Sequence, residues 1–314
     1  MQVAQHSSTE WIAEIDSRSR LAGSNMMEVL LFSLGTNETF GMNVFKVREV
    51  LHAPAITPLP NSPPSVRGVV SLRGSILPVI SLRDILDHPA APEHERILIV
   101  AEFARHLQAF LVSRVIQIVR VPWDIVHQPN PALAEHNTYL TALFRWDNTV
   151  VSLLDVEMIL STVLGEQSSI PAIERLNQSA TVFFADDSAI ARKEIIRVLD
   201  SMGIRYYYAS SGKEAWAKLN SLAQSATLEG TPLHSTLNAI LLDIEMPEMD
   251  GYTLAQTIKA DHRFAGIPII MHSSLSSQTN RTTGFRAGAD YYVAKFDPIE
   301  LSQTIRAALS HTLP

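Results

Sequence analysis

The chain has 314 residues, enough for two domains, and its 46% hydrophobic content can fill two cores. A net charge of −7 argues against a nucleic-acid binder held by counterion release, and the absence of cysteine excludes disulfides and thiolate metal sites. Residues 1–9 are polar and lack the apolar core of a signal peptide, and no segment approaches the ~20 apolar residues of a spanning helix, so a cytoplasmic chain with no membrane insertion is expected.

Residues 10–21 predict a short helix that docks on its own domain, with Ser7 and Glu10 spaced as a capping box and Trp11, Ile12 and Ile15 on one side. From Met26 the character changes. Segments 27–34, 39–47, 66–72, 75–82, 96–101, 107–121 and 140–154 are rich in Val, Ile, Leu and Phe and are broken by Pro, Gly and Asn. Many short strands predict an all-β barrel or sandwich. Residues 87–95 read as an external loop; His94 between Glu93 and Glu95 could suggest a metal, but a solvated loop is the better reading. Gly165, Ser168, Ser169 and Pro171 mark a helix tail and a linker. No internal repeat is evident.

Within this half, the passage from Ile56 to Arg83 is distinctive, above all Leu72-Arg73-Gly74 followed by Pro78-Val79. With Val47, Arg48, Glu49 and Val50 before it, it resembles the CheW-like adaptor domain of bacterial chemotaxis over residues 26–161. The resemblance implies a double SH3-like barrel, two five-stranded barrels around a shared apolar core, with no catalytic site. It also implies that the domain bridges the chemoreceptor tip and the regulatory domain of the histidine kinase CheA, through Val47, Glu49 and Arg73. Gly74 permits a hairpin turn that displays Arg73, and arginine is a common interface anchor. A simple pairing of Arg73 with a nearby acid is the alternative.

The second half alternates strands with helices, which forces a parallel sheet with right-handed crossovers. Thr181 to Ala185 is an apolar run ending on Asp186-Asp187-Ser188, and the run Ala239 to Leu242 ends on Asp243. Two further runs end on His272-Ser273-Ser274 and on Lys295. Ligands bind beyond the carboxyl ends of such strands. Three carboxylates there would repel unless a cation sat among them, and hard oxygen ligands suit magnesium. A lysine and a hydroxyl suit the oxygens of a transferring phosphoryl group. The duller reading of Asp186 or Asp187 is as the cap of a helix starting near Ala189. Segment 205–209 reads as the second strand, Ser211 and Glu214 as a capping box, and residues 221–235 as an insertion in a surface loop. Pro298 is placed at the first turn of the last helix, after Asp297.

This pattern resembles the receiver domain of two-component response regulators over residues 179–314, after a linker at 162–178. The resemblance implies a flavodoxin-like α/β fold with a five-stranded parallel sheet in the order 2-1-3-4-5. It makes Asp243 the phosphoacceptor, and Asp186, Asp187, Asp243 and the main-chain carbonyl of Glu245 the Mg2+ ligands. Ser273 and Lys295 would bind the phosphoryl group, and Ser273 and Tyr292 would act as the switch. The family usually has proline after the lysine; here Phe296 follows, and a cis bond there would cost ~2.5–4 kcal/mol. An adaptor followed by a receiver resembles the CheV-type chemotaxis coupling proteins. This implies coupling of receptors to CheA in membrane-associated arrays, modulated by phosphorylation from the kinase's phosphohistidine domain. The rival is a phosphate sink that drains the kinase without changing coupling. An aspartyl phosphatase is disfavoured because Asp243 is followed by Ile-Glu rather than by an Asp-x-Asp pattern, and a transcriptional regulator because no DNA-reading helix pair is found.

Overall fold

Two kinds of strand periodicity divide this computed structural model, which describes residues 26–88, 96–103, 106–129, 139–164, 172–274 and 278–310. The predicted helix at 10–21 and the Glu93-His94-Glu95 cluster lie outside them. The chain forms two compact units.

The first unit is all-β. Its strands are β1 (Met26–Ser33), β2 (Thr39–Asn43), β3 (Val47–His52), β4 (Val66–Leu72), β5 (Ser75–Ser81), β6 (Ile97–Phe103), β7 (His106–Val112), β8 (Arg114–Pro122), β9 (Leu140–Trp146) and β10 (Thr149–Leu154). They form two five-stranded sheets in the orders β8-β1-β2-β10-β9 and β3-β6-β7-β5-β4. The predicted strand at 107–121 is broken at Ser113, and that at 140–154 is a hairpin turning at Asp147-Asn148. Leu30, Phe32, Ile80, Ile99, Phe110 and Leu154 share one core, drawn from both sheets. His88 is not in an exposed loop: it is buried, against Phe40 and hydrogen-bonded to Glu38.

The topology repeats where the sequence shows no internal repeat. Strands β1–β5 and β6–β10 run through the same sequence of pairings, with a crossover: each sheet joins the first two strands of one set to the last three of the other. Among the pairs that cross between the sets, β2 with β10 and β7 with β5 are parallel, and β3 with β6 is antiparallel. The two hairpins match in detail. Arg73 and Gly74 have φ of 50° and 83°, and Asp147 and Asn148 have φ of 44° and 62°, the positive pair a tight two-residue hairpin turn requires. Each hairpin is followed by a helix cap: Ser81 accepts from Asp84 N–H, and Asp155 accepts from Met158 N–H to open α1 (Val156–Leu164).

The second unit is α/β. Strands β11 (Thr181–Ala185), β12 (Arg205–Ala209), β13 (Ala239–Asp243), β14 (Ile269–Ser273) and β15 (Tyr291–Ala294) are all parallel, in the order β12-β11-β13-β14-β15. They alternate with α2 (Ala189–Met202), α3 (Gly212–Leu228), α4 (Gly251–Ala260), α5 (Gln278–Arg286) and α6 (Pro298–Leu309). β11, β13 and β14 are buried at every residue, because helices cover both faces. Alternate residues feed two cores. Phe183, Leu242, Met271 and Tyr292 join Leu219 and Leu254 on one face, while Phe184, Leu241, Ile270 and Val293 join Ile195 and Ile305 on the other.

The inserted loop expected at 221–235 is corrected as well. α3 continues to Leu228, burying Ala223 and Ala226, and a 3-10 turn at Leu233–Ser235 buries Leu233. Ahead of β11, residues 172–178 lie along this unit. Leu176 N–H donates to Met202 O at 2.9 Å, and Arg306 donates to Glu174 O at 2.7 Å.

Candidate functional site

The pocket is a consequence of strand alternation. On β13, Leu241 faces the α2 and α6 core, so Asp243, two residues on, leaves the strand on that side. The same step places Asp186 two past Phe184, His272 two past Ile270, and Lys295 two past Val293. Parallel pairing in register brings these strand ends level, with Asp243 directly opposite His272.

Asp186, Asp187 and Asp243 each offer a carboxylate oxygen, and these atoms all lie within 4.8 Å of one another. Lys295 Nζ stands 3.0 Å from Asp186 Oδ2 and 3.0 Å from Asp243 Oδ2. Three carboxylates against one ammonium leave two negative charges, which a divalent cation would balance, and an all-oxygen donor set suits magnesium over softer metals. Asp243 is only 2% exposed and Asp186 fully buried, whereas Asp187 is partly open.

The surroundings hold the acids in place. Asp186 Oδ1 accepts from Ser188 N–H at 2.9 Å, and Arg192 donates to the main-chain oxygens of both Asp186 and Asp187 at 2.8 Å. Neither aspartate caps α2; the Ser188 hydroxyl does, accepting from Ala191 N–H. After Asp243 the chain folds back so that Gly251 N–H donates to Ile244 O at 2.9 Å. A Cβ on Gly251 would sit 2.0 Å from Asp243 O, so only glycine fits. Asp250 then caps α4, accepting from Thr253 N–H and Thr253 Oγ1 at 2.8 Å.

Ser273 is buried at the end of β14, and Lys295 N–H donates to its main-chain oxygen at 2.8 Å. Its hydroxyl shares a hydrogen bond with Tyr292, whose phenol is pushed up to about 12, chiefly by burial. Tyr292 is 5% exposed, on the opposite sheet face from Lys295, with the Arg281 guanidinium over its ring. Glu245 is buried, and its charge contributes to holding the Tyr292 phenol up. Among the described residues no peptide bond is cis: Phe296 instead takes a φ of 64°, a left-handed turn where the family's proline is missing.

Two residues of this site escaped the sequence reading. His272 is buried with Nδ1 3.6 Å from Asp186 Oδ2, and the two-residue alternation that placed Asp243 was the available signal. Arg192 lies in the first turn of α2 and reaches main-chain oxygens, which carry no residue pattern to signal it.

In the first unit, Arg73 and Glu49 come together at 2.9 Å, with the Arg73 side chain 73% exposed. Val47 is corrected: it is 1% exposed and belongs to the core, just ahead of an irregularity in the β3–β6 register between Val47 and Glu49. Its side chain is not available to a partner. No helix among the described residues is long and apolar enough to cross a membrane.

Comparison with known proteins agrees with both halves. The CheW-like domain matches residues 28–164, and the response regulator receiver domain matches residues 182–306. Chemotaxis protein CheV3 of Helicobacter pylori is 30% identical over 278 residues, covering 86% of this chain and 88% of that protein. Chemotaxis protein CheV2 of the same organism is 26% identical over 322 residues, covering 95% and 100%. Chemotaxis protein CheW of Klebsiella aerogenes is 29% identical over 154 residues, covering 48% of this chain and 92% of that protein. A CheW-like double sheet and a receiver sheet in the order 2-1-3-4-5, joined in one chain with relatives along most of its length, make this protein a member of the CheV family, a chemotaxis adaptor with a receiver domain.

Proposed function

We propose that the adaptor half couples chemoreceptors to the histidine kinase CheA, and that phosphorylation of Asp243 by that kinase modulates the coupling. The observation that carries this reading is the placement of Lys295 between Asp186 and Asp243, beside a third carboxylate. In the transfer, an Asp243 oxygen forms a bond to phosphorus as the bond from the kinase's phosphohistidine nitrogen breaks. Lys295 and the Ser273 hydroxyl then bind the phosphoryl oxygens. Magnesium, held by Asp186, Asp187, Asp243 and the main-chain carbonyl of Glu245, would supply the positive charge that neutralises those oxygens. Because Asp243 is 2% exposed, transfer needs a form in which Lys295 or the loop over residues 244–250 has moved.

When Ser273 turns to the phosphoryl group, its bond with Tyr292 is released, and the face carrying Tyr292 and Arg281 rearranges. Glu49 and Arg73 form the adaptor's partner contact, addressing the regulatory domain of CheA or the receptor tip. The chain turns over no external substrate, and its place in the cell is the receptor array. Kinase activity in assemblies of receptor, CheA and this chain tests the reading. Wild type should change kinase output once phosphorylated and Asp243→Asn should not. A chain that takes up phosphate yet leaves kinase output per receptor unchanged would be a sink instead.

A further inference from the structure

The adaptor unit holds a basic cavity that the coupling function does not use. Three chain segments meet there: the β1–β2 turn at Ser33, Gly35 and Thr36, the residue before β6, Arg96, and the β7–β8 turn at Ser113 and Arg114. They enclose about 520 Å3. The main chain stitches them together, with Arg96 N–H donating to Val112 O at 3.0 Å and Ser113 N–H donating to Ser33 O at 3.1 Å.

The arginines here differ from their neighbours. Arg48, Arg67, Arg73, Arg83 and Arg120 of the same unit each pair with a carboxylate. Arg96 and Arg114 have no carboxylate partner among the described residues; Arg114 Nε donates only to Ser33 Oγ, at 3.3 Å, which orients its guanidinium. The Ser113 hydroxyl oxygen is buried and has no hydrogen-bond partner there, an arrangement that costs free energy unless a ligand or water completes it. Glu38 borders the cavity through its bond with Thr36, and its carboxylate is engaged by Thr36 and by the buried His88 rather than by either arginine.

We infer that this cavity binds a small oxyanion, of phosphate or carboxylate type, between Arg96 and Arg114 with the Ser113 hydroxyl as a further donor. Guanidinium forks match both geometries and are weakly hydrated, so two of them facing one concave site select an oxyanion over chloride. Phosphate would arrive as a free ion and carboxylate as the side chain of an acidic partner segment. The inference stands apart from the chemistry at Asp243.

The test is a titration of the full chain, without divalent metal, followed at the backbone amides of Gly35, Ser113 and Arg114 by NMR. The probes are sodium phosphate and sodium acetate, each against sodium chloride at equal ionic strength. Saturable shifts with phosphate or acetate are expected, and the tighter of the two names the source. The double variant Arg96→Gln, Arg114→Gln should weaken that binding by at least roughly tenfold, the effect of one lost charge-assisted hydrogen bond. Both arginines are exposed, so the fold should survive, and unchanged spectra elsewhere would check this. Ser113→Ala should weaken binding by a smaller factor, about threefold. Shifts no larger than those with chloride, or saturable binding that persists in the double variant, would overturn the inference.

Discussion

Lys295 Nζ lies 3.0 Å from Asp243 Oδ2, and both side chains are almost wholly buried. The same ammonium serves Asp186 at equal distance, so one positive charge answers three carboxylates. Removing it should cost roughly 3–5 kcal/mol without a divalent cation, the usual result of breaking a buried pair. Lys295→Met should therefore melt lower than wild type and gain more on adding Mg2+; saturation at about a hundredfold over Kd corresponds to roughly 2.7 kcal/mol. Asp243→Asn should do the reverse, melting as high as wild type or higher without metal and gaining less from it. Calorimetric melts with and without Mg2+ measure both, and identical Mg2+ gains in all three proteins would count against a shared site.

Gly251 lets the loop after Asp243 close against the end of β13. Gly251→Ala would set a Cβ 2.0 Å from a main-chain oxygen that has little room to move. A loss of about 1–3 kcal/mol or more is expected, as for other overpacked positions. Gly74→Ala is the contrast for space: no atom lies within 4 Å of its added Cβ, and only the φ of 83° resists it. Denaturant unfolding of the two variants should rank Gly251→Ala as the more damaging.

Asp250 links the loop after β13 to pH. Burial holds its carboxyl above its ordinary value of 3.8, against the pull of the Thr253 hydrogen bonds. The folded state therefore prefers the protonated acid. Its contribution is fully present below the unfolded value and is lost as pH rises through the raised folded value. Asp250→Asn keeps an acceptor for Thr253 N–H without the buried charge, so its stability relative to wild type should improve as pH rises above the ordinary value of 3.8. Asp250→Ala removes the cap and should lose about 1 kcal/mol. Urea midpoints measured at rising pH test the sign.

The Arg73 end of its pair with Glu49 is largely exposed, and pairs open to solvent add little to stability. Arg73→Ala should shift unfolding by no more than ~0.5 kcal/mol while weakening capture of CheA's regulatory domain or of the receptor tip at least tenfold, as loss of an interface arginine does. A pull-down that loses neither partner would reassign the contact.

The receiver pocket was legible because its side chains stand at or just past the ends of apolar runs, and strand ends collect ligands. Where local pattern and long-range pairing part company, sequence reading fell short. The crossover of the adaptor's two halves rests on pairs such as Val151 with Thr39, far apart in the chain and without local signature. Val47 was misjudged because a resemblance marks a position, whereas the pairing of β3 with β6, irregular between Val47 and Glu49, decides which way its side chain points. The polar stretch after Asn220 hid a helical face continued by small residues, Ala223 and Ala226, which a search for large apolar side chains passes over. Phe296 shows the same limit in backbone terms, since nothing in its side chain announces a φ of 64°.

The central claim is that Asp243 accepts a phosphoryl group in a pocket that depends on a divalent cation. Intact-mass measurement after incubation with phosphorylated CheA tests it directly. Wild type should gain the mass of one phosphoryl group in Mg2+, the gain should vanish with a chelator present, and Asp243→Asn should show none. An equal gain in Asp243→Asn, or one indifferent to metal removal, would contradict it.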